Sequence, residues 1–143
     1  MTYRSMTEAD IRSVIPLYIT HYNADGDEWT DETVYKRIHQ VWSREDSLCL
    51  LAENDQGIAG FCMGSFEQFY DLSAYNLVEI IIAHDLQNQG LGTAFMLELE
   101  RQVKALGGAM IVLDAVNDEF HEHFYGKLNY NTCTNLVLKS KFL

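Results

Sequence analysis

Apolar positions along this chain recur with two periods, and the alternation between them predicts a mixed α/β domain. Residues 3–6 are short and extended. Thr7 then offers an N-cap, Asp10 three residues on closes a capping box, and Ile11, Val14, Ile15, Tyr18 and Ile19 follow at helical spacing. Pro16 falls inside that pattern and predicts a kink or a late helix start. A polar, acidic loop over residues 23–32 leads into a second helix capped at Thr30, with Val34, Ile38, Val41 and Trp42 as its apolar face. Residues 47–53 and 58–66 read as strands joined by the turn Asn54-Asp55-Gln56-Gly57, a hairpin. Residues 76–83 are almost continuously apolar and read as a central strand. Residues 90–106 form the clearest helix, with Leu91, Ala94, Phe95, Leu97, Leu99 and Val103 mostly on one side and Gly107-Gly108 ending it. A further buried strand (109–116), a short helix (119–128) and a final strand around 136–138 complete the order β-α-α-β-β-β-α-β-α-β. The pattern predicts an antiparallel first half followed by a β-α-β crossover, within one domain spanning residues 1–143.

Composition narrows this picture. A chain of 143 residues that is 48% apolar and 22% charged can build one core and not two. No apolar run approaches the ~18 residues that cross a bilayer, and the polar, acidic N-terminus has no signal or transit pattern. Three cysteines, Cys49, Cys62 and Cys133, form no short-range pair and are odd in number, which predicts reduced thiols in a cytoplasmic protein. The formal net charge is −11, from 10 basic and 21 acidic residues. Such a chain repels nucleic acid and anionic lipid and attracts a cationic small molecule or a basic peptide. The plainer reading of the same surplus is solubility.

Candidate chemistry concentrates in residues 80–95, IIIAHDLQNQGLGTAF. A buried strand ends, a polar turn follows, and a helix opens at Gly90 with Gly92 two residues on. Main-chain N–H groups at such a start are unpaired and aided by the helix dipole, so they hold phosphate without lysine or arginine. The third glycine of a dinucleotide fingerprint is missing, and no G-K-[ST] is present. The structural alternative is a glycine-rich helix start that only packs closely. His121-Glu122-His123 puts two imidazoles on different faces of a helix with no third ligand, so no metal is expected.

Gln87-Asn88-Gln89-Gly90-Leu91-Gly92 resembles the Q/R-x-x-G-x-G/A motif of the GNAT N-acetyltransferase superfamily. The run from Asn117 to Tyr130 resembles that family's N-x-x-A-x-x-F-Y-E-K-L-G-F stretch through Phe124-Tyr125 and Lys127-Leu128, with Asn129-Tyr130 in place of Gly-Phe. His84 stands where relatives often carry proline. The resemblance covers nearly the whole chain. It implies a single GNAT-like α/β domain, with a mixed central sheet of about six to seven strands and four helices. It implies acetyl-CoA as cosubstrate, the amides of Gln87, Asn88, Gln89, Gly90, Leu91, Gly92 and Thr93 on the pyrophosphate, and Ile80 and Ile82 pairing with the pantetheine arm like an added strand. Either Asn117 or Asp118 takes a further cofactor contact.

Acetyl transfer from sulfur to an amine releases a thiolate, and the Tyr125 phenol is the candidate to meet it. The candidate base is Glu79, whose apolar sequence neighbours disfavour charge, with Asp114 or a water chain as alternatives. Tyr22, Trp29 and Tyr70 lie in segments that wall the acceptor site in relatives. Asp27 and Glu28, within the cluster Asp25, Asp27, Glu28, Asp31 and Glu32, would draw a cationic acceptor. These features imply acetyl transfer to a primary amine, on a small molecule first and on a protein lysine or N-terminus second. A non-catalytic acyl-CoA-binding module and a purely structural interaction domain are the competing classes. Pairing as a homodimer is a further implication of the resemblance.

Overall fold

The computed structural model describes all residues from 1 to 143. Five strands form one sheet in the order β1-β2-β3-β4-β5. They are β1 (Thr2–Ser5), β2 (Ser47–Asn54), β3 (Gly57–Gln68), β4 (Ser73–Ile82) and β5 (Met110–Leu113). The helices are α1 (Glu8–Asn23), α2 (Asp31–Trp42), α3 (Leu91–Ala105) and α4 (Glu119–Gly126), with a short 3-10 turn at His84–Leu86. β1 to β4 pair antiparallel, and β4 pairs with β5 in parallel through the α3 crossover.

Both faces of the sheet are covered, which is why β2 reads as an unbroken apolar run. Cys49 and Leu51 point to the layer of α1 and α2, where Ile11, Val14, Tyr18, Val34 and Ile38 meet them. Leu48, Leu50 and Ala52 point to the opposite layer, onto Phe95, Met96, Leu99 and Val103 of α3. The buried stripe of α3 thus takes Met96 rather than Leu97, which is 54% exposed. The thiols of Cys49 and Cys62 are free and buried, which pushes Cys49 up to about 11 and Cys62 higher.

The caps form as the sequence predicts. The Asp10 carboxylate accepts the Thr7 N–H at 2.7 Å, and Thr30 accepts from the Thr33 N–H at 3.2 Å. Pro16 neither delays nor stops α1. It lies on the solvent face with Arg12 one turn back, so the carbonyl it leaves without a donor faces water.

Three expectations fail together at the C-terminal end. The last strand around residues 136–138 does not form, so the sheet has five strands instead of six to seven. β5 is consequently an edge strand, with Met110 and Val112 exposed, rather than a buried one. Asp114 lies just past its end and is exposed, not buried in a strand. No helix is long and apolar enough to cross a membrane.

Candidate active site

The site grows out of a mismatch in length between two parallel neighbours. β4 and β5 pair only from Ala74/Met110 to Leu77/Leu113. Beyond Leu77, β4 runs on to Ile82 while the chain after Leu113 turns away, so the sheet splays open. The cleft between them holds about 360 Å³ and is lined by Asn76–Ile80, Leu113–Val116, His21, Tyr22, Arg37, His121 and Tyr125.

A β-bulge sets what faces this cleft. Met63 opposes Glu79 but Gly64 opposes Leu77, leaving Val78 as the extra residue. Leu77, Ile80 and Ile82 therefore pack on the α3 side, while Val78 and Ile81 pack on the α1 side. Glu79 is turned to α1 and α2. Its carboxylate, 9% exposed, accepts from the Tyr18 hydroxyl at 3.2 Å, from the Tyr22 hydroxyl, and from Arg37 Nη2 at 3.0 Å. Arg37 Nε also donates to the Tyr18 oxygen at 2.8 Å. The apolar surroundings expected for Glu79 are thus polar and charged. Burial, followed by the charge of Glu79, raises the Tyr18 phenol, and burial with the hydrogen bond to Glu79 raises Tyr22, so both stay protonated donors.

The free edge of β4 has its own donors and acceptors. The Ala83 N–H reaches Ala59 O on β3 at 2.8 Å. Alternation along the strand then turns the main-chain groups of Ile82 and Ile80 to the opposite, open edge. Ile82 O accepts from Gln87 Nε2 at 3.1 Å, which ties the following turn to the strand end.

That turn delivers a second set of donors. Asn88 (φ 62°) and Gly90 (φ 79°) adopt left-handed backbone, and Gly90 caps α3 without a side-chain hydrogen bond. The Gln87 N–H bonds to His84 O, but the N–H groups of residues 88–93 bond to nothing in the chain. A Cβ at Gly92 would stand 3.4 Å from the Phe124 ring, so the absence of a side chain lets the donor turn approach α4 closely.

α4 carries Tyr125 to the cleft wall beside Phe124 and Tyr130, at ring separations of 4.9 and 5.7 Å. No protein group hydrogen-bonds its hydroxyl. Burial and the charge of Glu79 raise the Tyr125 phenol, keeping its proton available. Asp118 is committed to capping α4, accepting from the His121 N–H at 2.8 Å and meeting His121 Nδ1 at 2.7 Å. Asn117 is exposed and makes no such bond.

Not every candidate converges. Tyr22 lines the cleft, but Asp27, Glu28 and Trp29 line a separate shallow depression with Thr33. Trp29 packs edge-on to Tyr18 at 5.2 Å. Tyr70 is 99% exposed at the β3–β4 turn. Conversely, His21 and Arg37, which no motif marked, line the cleft, as does His121, which the sequence singled out only as half of a two-histidine pair. His21 Nδ1 is buried with no hydrogen-bond partner. Burial and the neighbouring His84 lower its pKa below 6.5, so the imidazole is neutral at pH 7. The one sequence signal was positional, since His21 sits beside Tyr22 and three residues after Tyr18.

The fold recurs widely among solved structures. A Clostridium difficile protein described as "a possible acetyltransferase" superposes with a TM-score of 0.85 at 9% identity, over 99% of this chain and 97% of that one. A GNAT family acetyltransferase from Staphylococcus aureus gives 0.76 at 18% identity, over 98% of both chains. Glucosamine-6-phosphate N-acetyltransferase from Arabidopsis thaliana gives 0.73 at 19% identity, over 99% of this chain and 97% of that one. No curated protein matches by sequence. The model of the acetyltransferase (GNAT) family matches residues 12–130, most of the chain, and with the splayed sheet and the glycine turn it identifies this protein as a member of the GNAT acetyltransferase family.

Proposed function

We propose that the protein transfers an acetyl group from acetyl-CoA to a primary amine, the acceptor being a cationic small molecule, by direct attack within a ternary complex. The observation that carries this reading is the open half of β4 leading into the unpaired N–H run of residues 88–93, with Tyr125 across the cleft. The chain's residues fit the cosubstrate in three places. The N–H groups of residues 88–93 suit a diphosphate, offering neutral donors where an acidic protein has no cationic cradle. The outward main-chain groups of Ile80 and Ile82 suit the amides of an extended pantetheine arm. Asn117, free of the cap, suits a further polar contact.

Acetyl-CoA supplies the thioester carbonyl that the amine attacks. The Ile82 N–H polarises that carbonyl from the open edge. Tyr125 gives its proton to the sulfur as the carbon–sulfur bond breaks. Glu79, engaged by three donors, acts as a fixed negative charge that draws the ammonium form of the acceptor and orients Tyr18 and Tyr22. His21, neutral and unpartnered at Nδ1, takes the proton from the amine.

A thiol-release assay across diamines, polyamines, amino sugars and lysine peptides, run beside calorimetry with CoA, tests the assignment. Tyr125→Phe should lower turnover by about 10²-fold or more with CoA affinity unchanged. CoA binding without thiol release from any amine would make the protein a binding module. Wild-type turnover in the mutant would remove the tyrosine from the mechanism.

A further inference from the structure

The charged groups that line the cleft answer one another, with a single exception. Arg37 Nη2 sits 3.0 Å from the Glu79 carboxylate, which also accepts from the Tyr18 and Tyr22 hydroxyls. On the facing wall His121 Nδ1 meets Asp118 at 2.7 Å. His21 is neutral at pH 7. Asp114 lines the same cleft, and its carboxylate takes no hydrogen bond and no ion pair. It is exposed, so only water solvates it in the free protein.

The sheet decides which way this carboxylate faces. Ile111 and Leu113 of β5 pack on the α3 side. Successive residues of a strand alternate between faces, so Asp114, the next position, falls on the other side. Glu79 is turned to that same side, toward α1 and α2. Ladder pairing between β4 and β5 stops at Leu77 and Leu113, so Glu79 and Asp114 stand on the two lips of the splay. One lip carries a carboxylate already neutralised by arginine, and the other carries a carboxylate with no counter-charge.

An amine attacks a thioester only as the free base, so the reacting nitrogen has given up its ammonium proton before the C–N bond forms. A cation that stays bound through that step is therefore a different nitrogen. We propose that Asp114 holds a second ammonium of the acceptor, which makes the acceptor a diamine or a longer polyamine rather than a monoamine. The proposal rests on the acetyl-transfer reading of the cleft and names its substrate class. The acetyl carbon bonds to the first nitrogen, the carbon–sulfur bond breaks, the sulfur takes the Tyr125 proton, and the second nitrogen keeps its charge. The lips are at least one interstrand spacing apart, about 4.8 Å, so about three methylenes or more separate the two nitrogens. The acidic loop that holds Asp27 and Glu28 lies in a different depression and takes no part in this contact.

Butanediamine and butylamine share one carbon chain and differ in the second nitrogen, so their ratio of kcat/KM isolates the contact. The parent should favour butanediamine by about tenfold or more, through KM rather than kcat, and the preference should shrink as salt is added. Asp114→Asn should bring the two amines to parity by raising KM for the diamine alone, while Asp114→Glu should keep most of the preference. Asp114 lies exposed beyond the end of β5 and bonds to nothing, so neither variant endangers the fold. Calorimetry of both amines into the CoA-loaded protein reads the same contact without turnover. Equal kcat/KM for the two amines in the parent overturns the proposal, as does a preference that survives Asp114→Asn. If no amine releases thiol, the transfer reading fails and calorimetry still decides about Asp114. Tighter binding of the diamine that disappears in Asp114→Asn would sustain the second-ammonium contact, and equal binding would end it.

Discussion

The residues up to Val103 and those after it differ in what they leave unsatisfied. Every buried residue lies between Met6 and Val103, and the remainder buries none. In the first region both sheet faces are covered and the β1–β4 ladders are complete. Besides the outer edge of the four-residue β1, the far half of β4 and the N–H groups of residues 88–93 remain open, and these are polar, suited to a small ligand. In the second region the open groups belong to the free edge of β5 and to an exposed tail that includes Leu136, Val137 and Leu138. One region is finished as a fold and incomplete as a site, while the other is incomplete as a fold.

The hardest way to break that contrast is at Gly64. A Cβ there would meet the Asn76 carbonyl and approach the Tyr75 phenol oxygen to 2.5 Å, and Tyr75 is itself buried and bonded to Leu48 O at 2.7 Å. Gly64→Val should cost about 3 kcal/mol in urea denaturation, because neither backbone nor a buried phenol can give way. It should also disturb the bulge that aims Glu79. Leu138→Asp in the tail should change the monomer's stability by no more than ~0.5 kcal/mol. Equal losses would abolish the distinction between the regions.

Next in size is His21→Gln, which keeps the bulk and removes the proposed base. Turnover should fall by about 10²-fold, or roughly 2.7 kcal/mol of barrier. In the parent enzyme the acid limb of the rate profile should have its midpoint below 6.5, since activity needs the neutral imidazole and burial lowers its pKa. The unfolded chain binds that proton more readily, so the parent should also lose stability as pH falls below 6.5. The variant should lose both dependences. Should the acid limb persist in His21→Gln and vanish in Glu79→Gln, the base is Glu79.

These two sites mark how far the sequence reached. The hairpin, the caps at Thr7 and Thr30 and the donor turn are local, because their signals lie within a few residues of the structure they make. The fate of Glu79 was not legible in that way. Its partners Tyr18, Tyr22 and Arg37 come from two helices far back in the chain, and a single bulge residue decides that it meets them. His21 was missed for the same reason. Burial of β5 was misread because periodicity reports that a strand wants a neighbour, not whether its own chain supplies one. The acidic loop misled differently, since proximity in sequence to Tyr22 did not bring Asp27 and Glu28 to the cleft.

A smaller effect tests the donor turn itself. Gly90 holds φ at 79° with open space around its Cβ position, so Gly90→Ala meets no clash and pays only for backbone strain. The expected loss is about 1 kcal/mol of stability, with CoA affinity reduced several-fold as the turn relaxes away from the left-handed region. Unchanged CoA binding in a variant that has lost this stability would mean that the N–H groups beyond residue 90 do not hold the ligand.

The smallest expected change is a gain, and it comes from the unfinished region. Gly126 ends α4 with ordinary helical backbone, and a Cβ there would touch nothing. Alanine removes the entropy that glycine loses on entering a helix, so Gly126→Ala should add about 0.5 kcal/mol to the monomer in urea denaturation at high dilution. No comparable gain is available at Gly60, Gly64 or Gly108, where a Cβ would run into backbone or buried side chains within 3 Å.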